Sequence, residues 1–128
     1  MTLLRPFAAA VAFLALAVPA LAGEIKPWSD DAFAAAQAAG EPLIIHVTAP
    51  WCPTCHAQAP TLQSLIKDPA YDDLLILDVD FDSQKDVLRR FRVQTQSTLI
   101  AFRDGAEVDR SVGVTDPKAI AGLFATTR

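Results

Sequence analysis

The sequence predicts an α/β fold: a mixed central sheet with helices on both faces, finished by a C-terminal β-hairpin and a last helix. Three observations predict it. Short apolar runs rich in β-branched residues alternate with longer segments of helical period. The alternation repeats along the chain, which is the pattern of parallel strands joined through helical crossovers. Finally, Asp104-Gly105 stands between the last two apolar runs as a tight-turn pair, so those two strands form a hairpin.

The elements follow in order. The stretch Asp30–Ala39 is rich in alanine, with Ser29 or Asp30 available as N-cap and Gly40 as the stop, so a helix is predicted. Residues 43–47, Leu-Ile-Ile-His-Val, read as a buried strand. From Pro53, apolar residues at Leu62, Leu65 and Ile66 mark a helix running to about Asp68-Pro69. Residues 74–81 give a second strand, 84–91 a helix with a charged outer side, 98–102 a third strand and 108–112 the return of the hairpin. Thr115 can cap a final helix with Pro117 in its first turn and Ile120, Leu123 and Phe124 inward. A short strand near Ile25 can precede the series. No repeat or low-complexity tract interrupts it.

Residues 1–22 are expected to be a secretory signal rather than part of this domain. Arg5 supplies a positive start, residues 7–18 are apolar and uncharged, Pro19 ends the run, and Ala20-Leu21-Ala22 is a small-residue cleavage site. An apolar run of 12 residues falls short of the roughly 20 a spanning helix needs. A periplasmic or secreted domain of residues 23–128 is therefore expected, with retention of the segment as an N-terminal membrane anchor the alternative. Stable membrane insertion after removal of the signal is not expected. The whole chain carries a formal charge of −4, and removing Arg5 makes it more negative. An acidic domain without a basic patch argues against nucleic acid as a partner.

There are two cysteines in the chain, Cys52 and Cys55. A disulfide between them closes so small a loop that it removes little entropy from the unfolded chain. The pair therefore reads as chemistry rather than as a staple. The segment Trp51-Cys52-Pro53-Thr54-Cys55-His56 follows a predicted buried strand and opens a predicted helix. Residues i and i+3 share a helix face at a separation a disulfide can bridge. Cys52 at the helix N-terminus meets unpaired N–H groups and the positive end of the dipole, which stabilise its thiolate, the attacking form. Pro53 suits the first turn because it has no N–H to lose. Cys55, one turn further in, would be shielded and would resolve the mixed disulfide.

Residues 41–113 resemble the thioredoxin family. The resemblance is carried by the strand 43–47 leading into Ala49-Pro50-Trp51-Cys52-x-x-Cys55, and by Pro60 five residues on, where the family has a helix-kinking proline. Val79-Asp80-Phe81-Asp82, Thr98-Leu99-Ile100-x-Phe102, Asp104-Gly105 and Val112-Gly113 extend it. The resemblance implies a thioredoxin-like fold and a redox-active disulfide exchanged with disulfide-bearing protein substrates. Cys52 would be the nucleophile and Cys55 the resolving thiol. It implies neither cofactor nor metal, and a monomer is expected. Trp51, Pro53, Gln96, Ser97 and Thr98 would line the substrate groove.

Two positions depart from the family pattern. The family usually has a cis-proline before the threonine of the third strand, where this chain has Ser97. A cis bond before a non-proline residue costs about 3 kcal/mol, so the isomer of the Gln96–Ser97 peptide is open, and a trans bond would reshape the groove. His46 stands where thioredoxins often bury an aspartate. It reads either as a base for Cys55 or as a core histidine satisfied by hydrogen bonds. His56, four residues after Cys52 on the same helix, reads either as a charge tuning the thiolate or as a solvent-facing residue. Trp51 is expected to pack beside the cysteines, and Trp28 to serve packing alone.

Rival readings of the same residues are covalent haem attachment through Cys52-x-x-Cys55-His56 and copper carriage. A haem protein commonly needs a second iron ligand, and once the initiator Met1 is lost only His46 remains, in an awkward strand position. Thioredoxin-like copper carriers use a longer cysteine spacing and a distant histidine, and no histidine follows position 56. The direction of exchange is open among reduction, oxidation and isomerisation. The compact form resembles exported reductases supplied by a membrane thiol-electron transporter, including those serving cytochrome c maturation.

Overall fold

The computed structural model describes residues 22–128, so the expected secretory segment lies, but for Ala22, outside the described residues. The chain forms β1 (Glu24–Pro27), α1 (Asp30–Ala39), β2 (Leu43–Thr48), α2 (Pro53–Leu65), β3 (Leu75–Asp80), α3 (Lys85–Arg90), β4 (Thr98–Arg103), β5 (Ala106–Val112) and α4 (Pro117–Ala125). The five strands lie in the order β1-β3-β2-β4-β5. The first three are mutually parallel, and β4 and β5 are antiparallel additions. The expected mixed sheet, hairpin and final helix are all present, and the short strand near Ile25 is β1.

Local chemistry explains where boundaries moved. Ser29, not Asp30, caps α1, its Oγ accepting from the Ala32 N–H at 2.9 Å, and Gly40 ends the helix at a left-handed φ of 64°. The final helix is capped by Asp116 rather than Thr115, through the Ala119 N–H at 3.1 Å. Pro117 occupies the first helical position, which leaves the residue directly before it as the cap. The helix from Pro53 stops at Leu65. The chain then tightens into a 3-10 turn at Pro69–Tyr71, because the proline cannot extend the preceding helix. The hairpin return starts at Ala106, two residues earlier than expected. Asp104 and Gly105 both take positive φ, 51° and 80°, so the loop needs only those two residues.

The core divides by strand parity. Successive strand side chains alternate faces, so Leu43, Ile45 and Val47 of β2 lie with Leu75, Leu77 and Val79 of β3 against Phe33 of α1 and Val87 and Leu88 of α3. Ile44 and Ile76 face the other way, with Leu62 of α2 and Ile120, Leu123 and Phe124 of α4. On the first side Trp28, Phe33, Phe91 and Phe102 meet at tilted or edge-on angles, with ring centroids 5.1 to 6.0 Å apart. Trp28 is a packing residue in that cluster, with its indole N–H donated to Asp30 at 3.1 Å. On the second side the same parity turns His46 and its register partner Asp78 beneath α2. The helix carrying the cysteines is tied to this polar pair through Gln58, whose side chain meets His46.

Candidate active site

Cys52 is the N-cap of α2. Its backbone is extended, φ −86° and ψ 108°, Pro53 follows in the first turn, and its Sγ accepts the Cys55 N–H at 3.1 Å. Cys52 and Cys55 are joined in a disulfide, with Cα atoms 5.3 Å apart. Both are buried, at 1% and 2% exposure. The surroundings of the two sulfurs differ in sign. Sγ of Cys52 is met by a backbone N–H donor, whereas Sγ of Cys55 has the carbonyl oxygen of Val47 at 4.0 Å. A donor favours an anion and an acceptor disfavours one. The helix runs on through the exposed Pro60.

Ser97 lies over the pair. Its Oγ is 3.2 Å from each sulfur and its side chain is buried. Among the described residues no peptide bond is cis, so the Gln96–Ser97 bond is trans, and Ser97 takes a left-handed φ of 63°. Three backbone contacts hold that shape. The Ser97 N–H donates to the Val47 carbonyl at 2.7 Å. The Ser97 carbonyl accepts the Gly113 N–H at 3.0 Å and the Gln58 side-chain N–H at 3.2 Å. The neighbours are turned elsewhere: Thr98 Oγ1 donates to the Thr95 carbonyl at 2.8 Å, and Gln96 Oε1 accepts from Thr95 Oγ1 at 3.1 Å. Of Gln96, Ser97 and Thr98, three of the five expected groove residues, Ser97 alone is hydrogen-bonded to the sulfurs.

His46 is buried with both ring nitrogens engaged. Nδ1 lies 2.9 Å from Asp78 Oδ1 and Nε2 lies 3.2 Å from Gln58 Oε1. The Gln58 amide nitrogen is committed as donor to the carbonyls of Ser97 and Val114, the latter at 2.9 Å. Its oxygen must therefore accept, which puts a proton on His46 Nε2. A narrow cleft of about 130 Å³ is lined by His46, Cys55 and Asp78, with His56 and Thr48 at its walls. Volume on that scale admits water to the inner sulfur. The satisfied-core reading of His46 describes its contacts, and the cleft keeps it within water-mediated reach of Cys55.

The remaining residues sit on the rim. His56 is exposed and bonds through its backbone N–H to the Cys52 carbonyl at 3.1 Å. Pro53 is exposed beside the disulfide. Trp51 is 54% exposed, not part of the core. Its indole N–H donates to Asp82 at 2.7 Å and its ring meets Phe81 edge-on. The tether holds the ring against Phe81 with much of its surface open to solvent. Below it, Asp80 accepts from the Ser83 hydroxyl and the Ser83 N–H, which hold its carboxyl below the usual carboxylate range.

Gln58 and Asp78 were not singled out from the sequence. Gln58 had a legible signal, since Cys55, Gln58 and Leu62 fall at i, i+3 and i+7 on the buried face of α2. Asp78 had a weaker one, being a charged residue inside an apolar strand run.

The comparisons with known proteins agree with this architecture. The thioredoxin family model matches residues 24–125. The chain is 35% identical to thioredoxin of Chlamydia muridarum over 96 residues, which is 75% of this chain and 91% of the relative. Thioredoxin of Mycobacterium tuberculosis is 34% identical over 80 residues, 62% of this chain and 68% of the relative. Among solved structures, Trxlp from Edwardsiella tarda superposes with a TM-score of 0.77 at 46% identity, covering 79% of this chain and 98% of that one. The thioredoxin of Malassezia sympodialis, at 22% identity and a TM-score of 0.70 over 84% of this chain and 94% of that one, shares the fold. The chain belongs to the thioredoxin family and is a protein-disulfide oxidoreductase whose Cys52–Cys55 pair stands at disulfide distance.

Proposed function

We propose that the chain is an exported reductase of protein disulfides, with Cys52 as nucleophile and Cys55 as resolving thiol. The observation that carries the assignment is the opposite environment of the two sulfurs, a helix N-terminal N–H at Cys52 and a carbonyl at Cys55. In the reduced protein the Cys52 thiolate attacks one sulfur of a substrate disulfide. A bond forms between Cys52 and that sulfur, the substrate S–S bond breaks, and the departing sulfur takes a proton from solvent. Cys55 then gives up its proton and attacks Cys52 Sγ. The Cys52–Cys55 bond closes, the mixed disulfide opens, and two electrons have passed to the substrate.

The exposed Trp51 and Pro53, which flank Cys52 of the buried disulfide, suit a protein substrate, which can bring an extended segment across the rim. Export is supported by the signal-like residues 1–22, which would place the protein in the periplasm or outside the cell. A membrane thiol-electron transporter is the matching source of electrons there, and cytochrome c maturation is one process that such a reductase serves. Burial of both sulfurs favours exchange over thioether attachment to a haem.

The test is the equilibrium of the Cys52–Cys55 couple against glutathione. A potential near the roughly −270 mV of thioredoxin is expected for a reductase, and one near about −120 mV would make the protein an oxidase instead.

A further inference from the structure

We infer that the Ser97 hydroxyl is a catalytic hydrogen-bond donor to the Cys52 thiolate and that it sets the reduction potential of the disulfide. The inference rests on the exchange chemistry proposed above. Ser97 Oγ is buried and 3.2 Å from both sulfurs, and among the described residues these two sulfurs are its hydrogen-bond partners. In the oxidised protein both sulfurs are neutral and are weak acceptors. Reduction changes one of them into an anion. The Cys52 sulfur then faces two donors, the Cys55 N–H and the Ser97 hydroxyl, and the contact with Ser97 becomes charge-assisted. The hydroxyl oxygen keeps its lone pairs for the Cys55 thiol. One side chain thus stabilises the reduced state, with its anion on the outer sulfur and its proton on the inner one.

The backbone supports the same reading. Ser97 is held at φ 63°, where a glycine would sit without steric cost and a serine does not. Observed strain of this kind concentrates at functional positions. Three bonds, from Val47, Gly113 and Gln58, hold the residue in that conformation. Their effect is to fix the hydroxyl over the sulfurs before any substrate arrives. In the mixed disulfide, where Cys52 is bonded and neutral, the same hydroxyl can turn its proton to Cys55 as that sulfur becomes an anion and attacks. No atom is gained or lost in these changes; the donor follows the charge.

The test compares the wild-type protein with Ser97→Ala and Ser97→Gly. Both remove the hydroxyl, and the glycine variant also relieves the backbone, so at least one keeps the fold. Equilibration with glutathione should show the reduced form about tenfold less favoured in each variant, a fall in potential of about 30 mV for a two-electron couple. Alkylation of the reduced protein followed against pH should show Cys52 reacting at higher pH in both. A wild-type potential and alkylation profile in the two variants would overturn the inference, as would a change in melting temperature alone. If the wild-type protein failed to exchange disulfides at all, the proposed function would fall first, and that result is visible before either variant is made.

Discussion

Replacing Gln58 with leucine tests whether the polar patch under α2 is a closed hydrogen-bonded unit. Gln58 is fully buried and joins three partners: it donates to the carbonyls of Ser97 and Val114 and accepts from His46 Nε2. Leucine is similar in volume, so no large cavity opens, and the change removes hydrogen bonds with little change in packing. Three groups lose a hydrogen bond, but the Ser97 carbonyl keeps the Gly113 N–H at 3.0 Å, and the partly buried Val114 recovers most of its loss from water. His46 Nε2 is the buried group left unpaired, at a cost of about 1–3 kcal/mol. A net destabilisation of about 2 kcal/mol is expected once the weakened Ser97 contact and the added apolar burial of leucine are set against each other. For a domain of this size each kcal/mol moves the melting temperature by roughly 4 °C, so a drop of about 8 °C follows. Thermal unfolding followed by circular dichroism, with the disulfide intact in both proteins, measures it. An unchanged melting temperature would refute the reasoning, because it would mean that the three partners are satisfied without Gln58.

Further predictions concern single residues of the site. Cys52→Ser should abolish reduction of insulin disulfides, whereas Cys55→Ser should accumulate mixed disulfides visible on a non-reducing gel; full activity in the first variant would reverse the assigned roles. Ser97→Pro should destabilise the fold by about 3 kcal/mol or more, since proline fixes φ near −65° and lacks the N–H that donates to Val47 at 2.7 Å; a denaturant midpoint equal to wild type would contradict the trans, left-handed backbone at this position. For Asp80→Asn the sign follows from its lowered carboxyl. The wild-type contribution is present above the ordinary aspartate range and is lost as the pH falls through the lowered value, so the variant should be less stable at neutral pH and approach wild type in strong acid. Parallel stability curves at all pH values would remove Asp80 from the turn's electrostatics.

Much of the fold could be read from local pattern. Gly40 and Asp104-Gly105 mark their turns because few other residues take positive φ without cost, and the run 43–47 marks a strand that is buried on both faces. The Cys52–Cys55 spacing was equally legible, since three residues on a helix determine a separation whatever the rest of the chain does. Boundaries moved where two local signals competed, as with Thr115 and Asp116 before Pro117. Trp51 was expected to pack beside the cysteines; it is exposed, with its ring against Phe81. Its hydrogen bond to Asp82, 31 positions away, holds it at the rim.

The amino-acid sequence alone determined the alternation of strands and helices, the placement of a thiol pair at a helix N-terminus and therefore the kind of chemistry to expect. Tertiary structure decided which groups surround those thiols. Ser97 meets Cys52 across 45 positions, and His46 meets Asp78 across 32. Such contacts depend on strand order and register, which period and composition do not encode. The backbone of Ser97 was likewise beyond local inference. A serine has no intrinsic preference for left-handed φ, and it adopts that conformation here because Val47, Gly113 and Gln58 each hold one of its backbone groups in place.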